Sequence, residues 1–173
     1  MERPDIEKMK RERDVEGLIK ALGDEDVNIA MAAHSALCEM EKAAVVAPLI
    51  NALRTSDNVG CRRLCADILG QLSPFRPPFG LTIEPLIGAL KDDDKGVRGN
   101  AALSLGLLCD PKAVEPLIKA LEDNHEYVRK NAAFALGCIE DKRAIKQLTK
   151  LLNDDNKEVR DAAENALERI QRR

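Results

Sequence analysis

An internal repeat with a 31-residue period constrains the fold of this chain more than any other feature. The segment IEPLIGAL at residues 83–90 recurs as VEPLIKAL at residues 114–121. Related segments begin near three further positions, residues 15, 46 and 145. A unit this short cannot bury its apolar side chains alone, so successive copies must stack. The sequence therefore predicts one domain of five copies over residues 15–173, preceded by a short capping helix over residues 1–14.

Each copy consists of two amphipathic halves joined by a polar turn. In the fourth copy, apolar residues recur three to four positions apart in VEPLIKAL and again in VRKNAAFALGCI at residues 128–139, as on one face of an α-helix. The turn between them, residues 122–125, carries Asp and Asn, which favour helix N-termini. Three prolines are expected in the first turn of a first helix, where a missing N–H costs nothing: Pro48, Pro85 and Pro116.

Small residues in the second halves indicate how neighbouring copies pack. Ala133 and Gly137 occupy positions beside the apolar stripe, and the equivalents in earlier copies are Ala66, Gly70, Ala102 and Gly106. The last copy has Glu164 and Glu168 there, as suits a terminal repeat that faces solvent. Aromatic residues make up 2% of the chain, which disfavours β-sheet. The predicted fold class is all-α, an α-solenoid in which antiparallel helix hairpins stack into a right-handed superhelix.

The repeat consensus resembles a known family. The fourth copy reads LED at residues 121–123, VR at 128–129 and AAFALG at 132–137, which is similar to HEAT repeats, specifically the short HEAT-like repeats of the phycobilisome-lyase type. The resemblance implies a ladder in which a turn Asp pairs with an Arg of a neighbouring repeat. The ladder positions are Asp92, Arg98, Asp123, Arg129, Asp154 and Arg160. As exposed ion pairs they are expected to contribute about 0–1 kcal/mol each and to fix the register of the repeats.

Charge and composition exclude several classes of function. The chain has 27 basic and 30 acidic side chains, hence a net charge of −3, which gives no general attraction to nucleic acid or anionic lipid. No apolar run is long enough for a membrane span, and no signal peptide follows Met1. Five cysteines without a CxxC pair argue against disulfides and zinc. We therefore expect a cytoplasmic protein with no cofactor and no metal.

Cysteine and histidine positions give weak signals for chemistry. Cys61 and Cys65 fall on core positions, where free Cys packs as a small hydrophobe. His34 and Cys38 have the i,i+4 spacing of a metal pair, but they align with the small residues Ala133 and Gly137, so His34 is expected to pack against the second copy. No P-loop, dinucleotide-binding or nucleophile-elbow motif occurs in the sequence.

The second copy is longer than the others because of a Pro-rich insertion at residues 73–82. Phe75 and Phe79 in this insertion have two interpretations. Either they contact a partner, since rigid Pro lowers the ordering cost of binding, or they fold back over the edge of the solenoid.

The second helices are expected to line the concave face of the solenoid, where a ligand would bind. The candidate partner-binding residues on this face are Arg63, Asp67, Leu103, Lys130, Phe134, Cys138 and Asn165. Leu103 and Phe134 place apolar side chains side by side where an amphipathic helix would present polar ones. Apolar anchors inside a polar rim are typical of protein interfaces, although single exposed apolar residues are also common on ordinary surfaces.

These observations favour a non-enzymatic protein–protein interaction module, a small scaffold or adaptor whose partner is another protein. The family resemblance implies an alternative: a lyase or isomerase, or a chaperone, that acts on a tetrapyrrole or a tetrapyrrole-bearing protein. Nucleic-acid binding is disfavoured, because the aligned concave positions do not form a basic stripe. No membrane association is expected, and the chain is expected to be a monomer or a weak dimer.

Overall fold

The computed structural model describes residues 4–72 and 80–172. Over these two segments the chain forms eleven α-helices and two short 3-10 turns, with no β-strand. The helices are α1 (Ile6–Glu12), α2 (Val15–Ala21), α3 (Val27–Glu39), α4 (Lys42–Thr55), α5 (Val59–Gln71), α6 (Gly80–Ala89), α7 (Lys95–Leu108), α8 (Val114–Ala120), α9 (Glu126–Ile139), α10 (Ile145–Leu151) and α11 (Lys157–Gln171). The 3-10 turns, Pro111–Ala113 and Lys142–Ala144, directly precede α8 and α10.

The helices pack as successive pairs, from α2 with α3 to α10 with α11. The second helices α5, α7, α9 and α11 lie side by side in chain order, while α1 packs on the first pair through Ile6 and Met9. This arrangement confirms the α-solenoid that the repeat predicts. No helix in the described part of the chain is long and apolar enough to cross a membrane.

Turn side chains determine where the second helices begin. Asp94 accepts hydrogen bonds from the N–H groups of Gly96 and Val97 at 2.8 and 3.0 Å. The same position is filled in the other second helices by Asp26, Asn58, His125 and Asn156. Each bond satisfies a backbone donor that the first turn of a helix leaves without a partner.

One continuous core runs through the stack. Val97, Val128 and Val159, the equivalent stripe positions of three copies, are fully buried. Leu18 in the first helix pair and Ile170 in the last belong to the same cluster of contacting apolar side chains. Because every hairpin contributes one face to this cluster, its burial is the main source of stability in the stack.

Small residues let the second helices approach closely. A Cβ atom on Gly137 of α9 would lie 2.9 Å from the Cα of Ala166 in α11, closer than packed atoms permit. At the other end, α3 carries His34 and Cys38 instead of small residues and packs less extensively on α5. In α11, the equivalent residues Glu164 and Glu168 are exposed.

The Asp–Arg ladder is present, but its paired side chains are less exposed than the sequence predicts. Arg98 and Arg129 donate through Nε at 2.8 Å to Asp123 and Asp154 of the next turn, and both pairs have a second bond through Nη2. The paired side chains are 10–18% exposed. The Arg129 guanidinium holds the pKa of Asp154 below its usual range.

The two ends of the ladder differ from expectation. Asp92 pairs with Arg62 at 2.8 Å, a residue that the sequence analysis does not name. Arg160 forms no ion pair within the described residues, and its Nη1 donates to the backbone carbonyls of Asp154 and Asp155 at 2.7 and 3.0 Å, a kind of bond that Arg98 and Arg129 also make in their own turns.

The prediction that all three prolines lie in a first helical turn is wrong for two of them. Pro116 is the third residue of α8, but Pro48 is the seventh of α4 and Pro85 the sixth of α6. α4 begins earlier than expected because its apolar pattern continues upstream to the fully buried Val45. In the fourth and fifth copies the corresponding upstream residues form separate 3-10 turns.

The insertion at residues 73–82 is described in part. Residues 73–79, with Phe75 and Phe79, lie outside the described residues. Residues 80–82, which the sequence analysis places in the insertion, are helical and belong to the first turn of α6.

Candidate functional site

A groove of about 620 Å³ opens along the solvent-facing side of α9 and α11, with one wall from α7. We call it the α9–α11 groove. Its main lining residues are Leu103, Lys130, Phe134, Ala162, Asn165 and Arg169.

The floor of the groove is apolar. Phe134 is 43% exposed, an unusual state for a large aromatic side chain, and Leu103 lies beside it half-buried. The space above them exists because α11 carries Ala162 and Ala166 along the facing wall. Leu107, one turn beyond Leu103 on α7, is also exposed, so the apolar surface extends along α7.

The rim of the groove is charged, and its charges are paired. Lys130 Nζ lies 2.7 Å from Glu158 Oε2 and 5.9 Å from the centre of the Tyr127 ring. Asp161 pairs with Lys157 at 2.7 Å. The Lys130 ammonium lowers the pKa of the Glu158 carboxyl. Because these charges compensate one another, the rim is polar without a strong net sign.

Arg169 lies at the end of the groove. Its Nη1 lies 3.6 Å from Cys138 Sγ, and its Nε lies 3.9 Å from Glu140 Oε1. Burial raises the pKa of the Cys138 thiol, against the opposing influence of the Arg169 charge. The Cys138 thiol is therefore uncharged. It lies next to the groove but does not line it.

The structure brings together four of the predicted partner-binding residues: Leu103, Lys130, Phe134 and Asn165. Two others are engaged elsewhere. Arg63 donates to Asp94 at 3.1 Å and packs over Gly96. Asp67 contacts His34 at 2.8 Å, in the first half of the solenoid.

Part of the groove is not predicted from the sequence. Ala162, Ala166 and Arg169 belong to the lining, and Leu107 extends its apolar surface. Leu107 and Arg169 are the equivalents of Cys138 in the neighbouring copies, so both could be predicted from the repeat alignment. The opening depends on Ala162, whose equivalents in the two preceding copies are Asn100 and Asn131. This effect becomes evident when α9 and α11 are side by side.

Between α7 and α9 the same face is closed. The Tyr127 ring covers Gly99, and Tyr127 Oη donates to Asn100 Oδ1 at 2.8 Å. Asn131 Nδ2 donates to the carbonyl of Gly99 at 3.1 Å. These bonds lock the two helices together, so the groove opens on the α11 side of α9.

Within residues 4–72 and 80–172, no group of three or more His, Cys, Asp or Glu side chains is arranged to hold a metal ion. The geometry of the groove is that of a surface that recognises a ligand through shape and apolar contact.

Residues 83–168 match the family of HEAT repeats. These residues are HEAT repeats. In HEAT-repeat terms, α6 to α11 are three consecutive helix pairs, and the α9–α11 groove lies between the last two second helices. No curated protein matches this sequence.

Several solved structures are similar in fold to this chain. The complex of CpcE and CpcF of phycocyanin lyase from Nostoc sp. PCC7120 is 28% identical with a TM-score of 0.71, over 92% of this chain and 65% of that chain. The YibA protein of Escherichia coli is 25% identical with a TM-score of 0.76, over 97% and 64%. A designed armadillo repeat protein in complex with the peptide (KR)4 is 19% identical with a TM-score of 0.63, over 95% and 85%, and shows likeness of fold alone.

Proposed function

We propose that this chain is a protein-binding module, a small scaffold or adaptor that holds a segment of a partner protein in the α9–α11 groove. The observation that carries this proposal is the exposure of Phe134 in the apolar floor of the groove, inside a rim of paired charges. Protein interfaces concentrate binding energy in such apolar anchors and surround them with polar residues that exclude water.

The chemistry of the groove indicates what the partner presents. Leu103, Phe134 and Ala162 offer apolar contact, so the partner inserts an apolar side chain between α9 and α11. Lys130 and Asp161 are already paired with Glu158 and Lys157, so recognition depends little on the net charge of the partner. The groove is therefore suited to a segment with one large apolar anchor and polar flanks.

The proposed working surface is the concave face of a single five-copy solenoid over residues 15–173, with residues 1–14 as a cap. Solenoids use such faces to bind extended segments. The chain itself is proposed to be a monomer or a weak dimer. The five thiols are all free, which is consistent with the reducing cytoplasm.

Affinity purification of the tagged chain from its native host tests the proposal. Phe134→Ala and Leu103→Asp are expected to lower recovery of the specific partner at least tenfold while helical content is unchanged. Leu152→Ala is the matched control, because Leu152 is also an exposed apolar residue but does not line the groove. Equal recovery of the same partner by wild type and by both groove variants contradicts the proposal.

A second candidate function rests on the likeness to the CpcE–CpcF complex of phycocyanin lyase. A chain of this kind would act on a tetrapyrrole or on a tetrapyrrole-bearing protein, as an enzyme or as a chaperone. Titration of the purified chain with a bilin distinguishes this candidate from the first. A shift of the bilin absorption band that Phe134→Ala abolishes supports it, and an unchanged spectrum rejects it.

A further inference from the structure

A polar cluster joins α3 to α5 where the other second helices meet through small residues. His34 Nε2 lies 2.8 Å from Asp67 Oδ2, and His34 Nδ1 lies 3.9 Å from Cys38 Sγ. Gln71 completes the cluster: its Nε2 donates to Asp67 Oδ2 at 2.8 Å, and its Oε1 lies 3.9 Å from Cys38 Sγ. The thiol therefore has an imidazole on one side, and the imidazole has a carboxylate on the other.

We propose that Cys38 is a nucleophilic thiol whose thiolate is held by the imidazolium of His34, and that Asp67 is the positioning residue for the imidazole. The site would take a small, uncharged carbon electrophile. It lies in the first two copies, away from the α9–α11 groove, and is independent of the function proposed for that groove.

The geometry assigns a separate role to each group. The contact with Asp67 occupies Nε2, so the ring is oriented with Nδ1 towards sulfur. When both ring nitrogens carry protons, Nε2–H donates to Asp67 and Nδ1–H donates to Cys38. A positive charge beside a thiol favours the thiolate, which is the reactive form.

The surroundings of His34 favour its charged state. The hydrogen bond with Asp67 and the contact with Cys38 raise the pKa of His34 to about 9, against the opposing effect of burial. Glu39, the residue after Cys38, is paired with Lys10 of α1, so these two charges compensate each other.

The reaction is a simple displacement. The thiol proton of Cys38 passes to solvent, and the thiolate sulfur attacks the methylene carbon of a probe such as iodoacetamide. A carbon–sulfur bond forms as the carbon–iodine bond breaks, and iodide leaves with the electron pair. No oxidant or reductant is required.

The other cysteines serve as internal controls. Cys38 is partly accessible, Cys61 and Cys65 are buried, and Cys109 is exposed. If access alone governed reactivity, Cys109 would react before Cys38. A higher rate at Cys38 would therefore report activation by the neighbouring groups.

Limited alkylation of the full chain with iodoacetamide at pH 7, followed by peptide mass spectrometry, measures the rate at each thiol. We expect Cys38 to react at least tenfold faster than Cys109. His34→Asn should lower the Cys38 rate at least tenfold and leave the Cys109 rate unchanged. Asp67→Asn should produce a smaller loss, and Asp67→Glu, which restores a carboxylate beside His34, should recover part of the fast rate, an effect that loss of packing alone would not cause.

Unfolding provides the remaining control. In concentrated urea the wild-type rates at Cys38 and Cys109 should converge, because the His34 contact is lost. Continued protection of Cys61 and Cys65 shows that each variant is folded. A wild-type Cys38 that reacts no faster than Cys109, or a folded His34→Asn variant that retains the fast rate, overturns the proposal.

Discussion

Gly106 of α7 lies against Ala135 of α9 so closely that a Cβ atom on the glycine would come within 2.6 Å of the Ala135 Cα. The neighbouring atom belongs to the backbone of a packed helix, which cannot move aside as a flexible side chain can. The spacing between second helices in the stack is thus set by the lack of a side chain at this position.

Gly106→Ala is expected to lower the free energy of unfolding by about 1–3 kcal/mol, because the added methyl group forces α7 and α9 apart. Gly88→Ala is the matched control: Gly88 is also helical, but a Cβ atom there meets nothing within 4 Å. The control should raise the free energy of unfolding by about 0.5–1 kcal/mol, since Ala favours helix over Gly. Urea denaturation measures both, and a loss of stability in both variants would refute the close-packing explanation.

Arg129→Ala is expected to lower the free energy of unfolding by about 1–3 kcal/mol, because it leaves the largely buried carboxylate of Asp154 without its cation. Lys157→Ala breaks the exposed pair with Asp161 and should change the same quantity by about 0.5 kcal/mol or less. Thermal or urea unfolding of the two variants gives the comparison. Equal effects would mean that the ladder stabilises the stack no more than a surface ion pair does.

The His34–Asp67 contact predicts a dependence of stability on pH. The pKa of His34 is raised from 6.5 to about 9 in the folded state, so its contribution is complete below pH 6.5, declines as pH rises, and is lost above about pH 9. Since the pair is partly exposed, we expect about 1–2 kcal/mol. Urea midpoints of wild type and His34→Gln should differ at pH 6 and converge at pH 9.5. A difference that is constant across this range contradicts the assignment.

Phe134 is expected to contribute less to folding than a core residue of the same helix. Phe134→Ser should lower the free energy of unfolding by about 1–1.5 kcal/mol, because only slightly more than half of the residue is buried. Leu136→Ala, two residues along the same helix but fully buried, should cost about 2–4 kcal/mol. Chemical denaturation measures both. A large loss in Phe134→Ser would show that the side chain is part of the core and not of a binding surface.

The repeat predicts most of the fold, because the same stripe of apolar residues recurs at a fixed spacing and must be buried in every copy. Val97, Val128 and Val159 are accordingly buried as the pattern requires. The start of α4 is not predicted, since the extra turn before Pro48 depends on the burial of Val45 against neighbouring helices. The low exposure of the Arg98 and Arg129 ion pairs is also not predicted, because it depends on how closely successive turns approach each other.

The candidate groove is predictable in part. Leu103 and Phe134 break the polar pattern of their helices, so the sequence marks them. The opening beside them depends on Ala162 and Ala166 of a different helix, and their effect follows from the distance between α9 and α11. His34 and Asp67 lie 33 residues apart in the sequence. Their contact depends on the register of α3 against α5. The repeat alignment does not specify this register closely enough to pair two large polar side chains.

Hydroxyl-radical footprinting of the chain, free and in complex with its purified partner, tests the central claim most directly. Partner binding in the α9–α11 groove predicts that oxidation of Phe134 and Leu103 falls at least fivefold in the complex, while oxidation of Leu152 is unchanged. Equal oxidation of Phe134 in the free and bound states would contradict the claim.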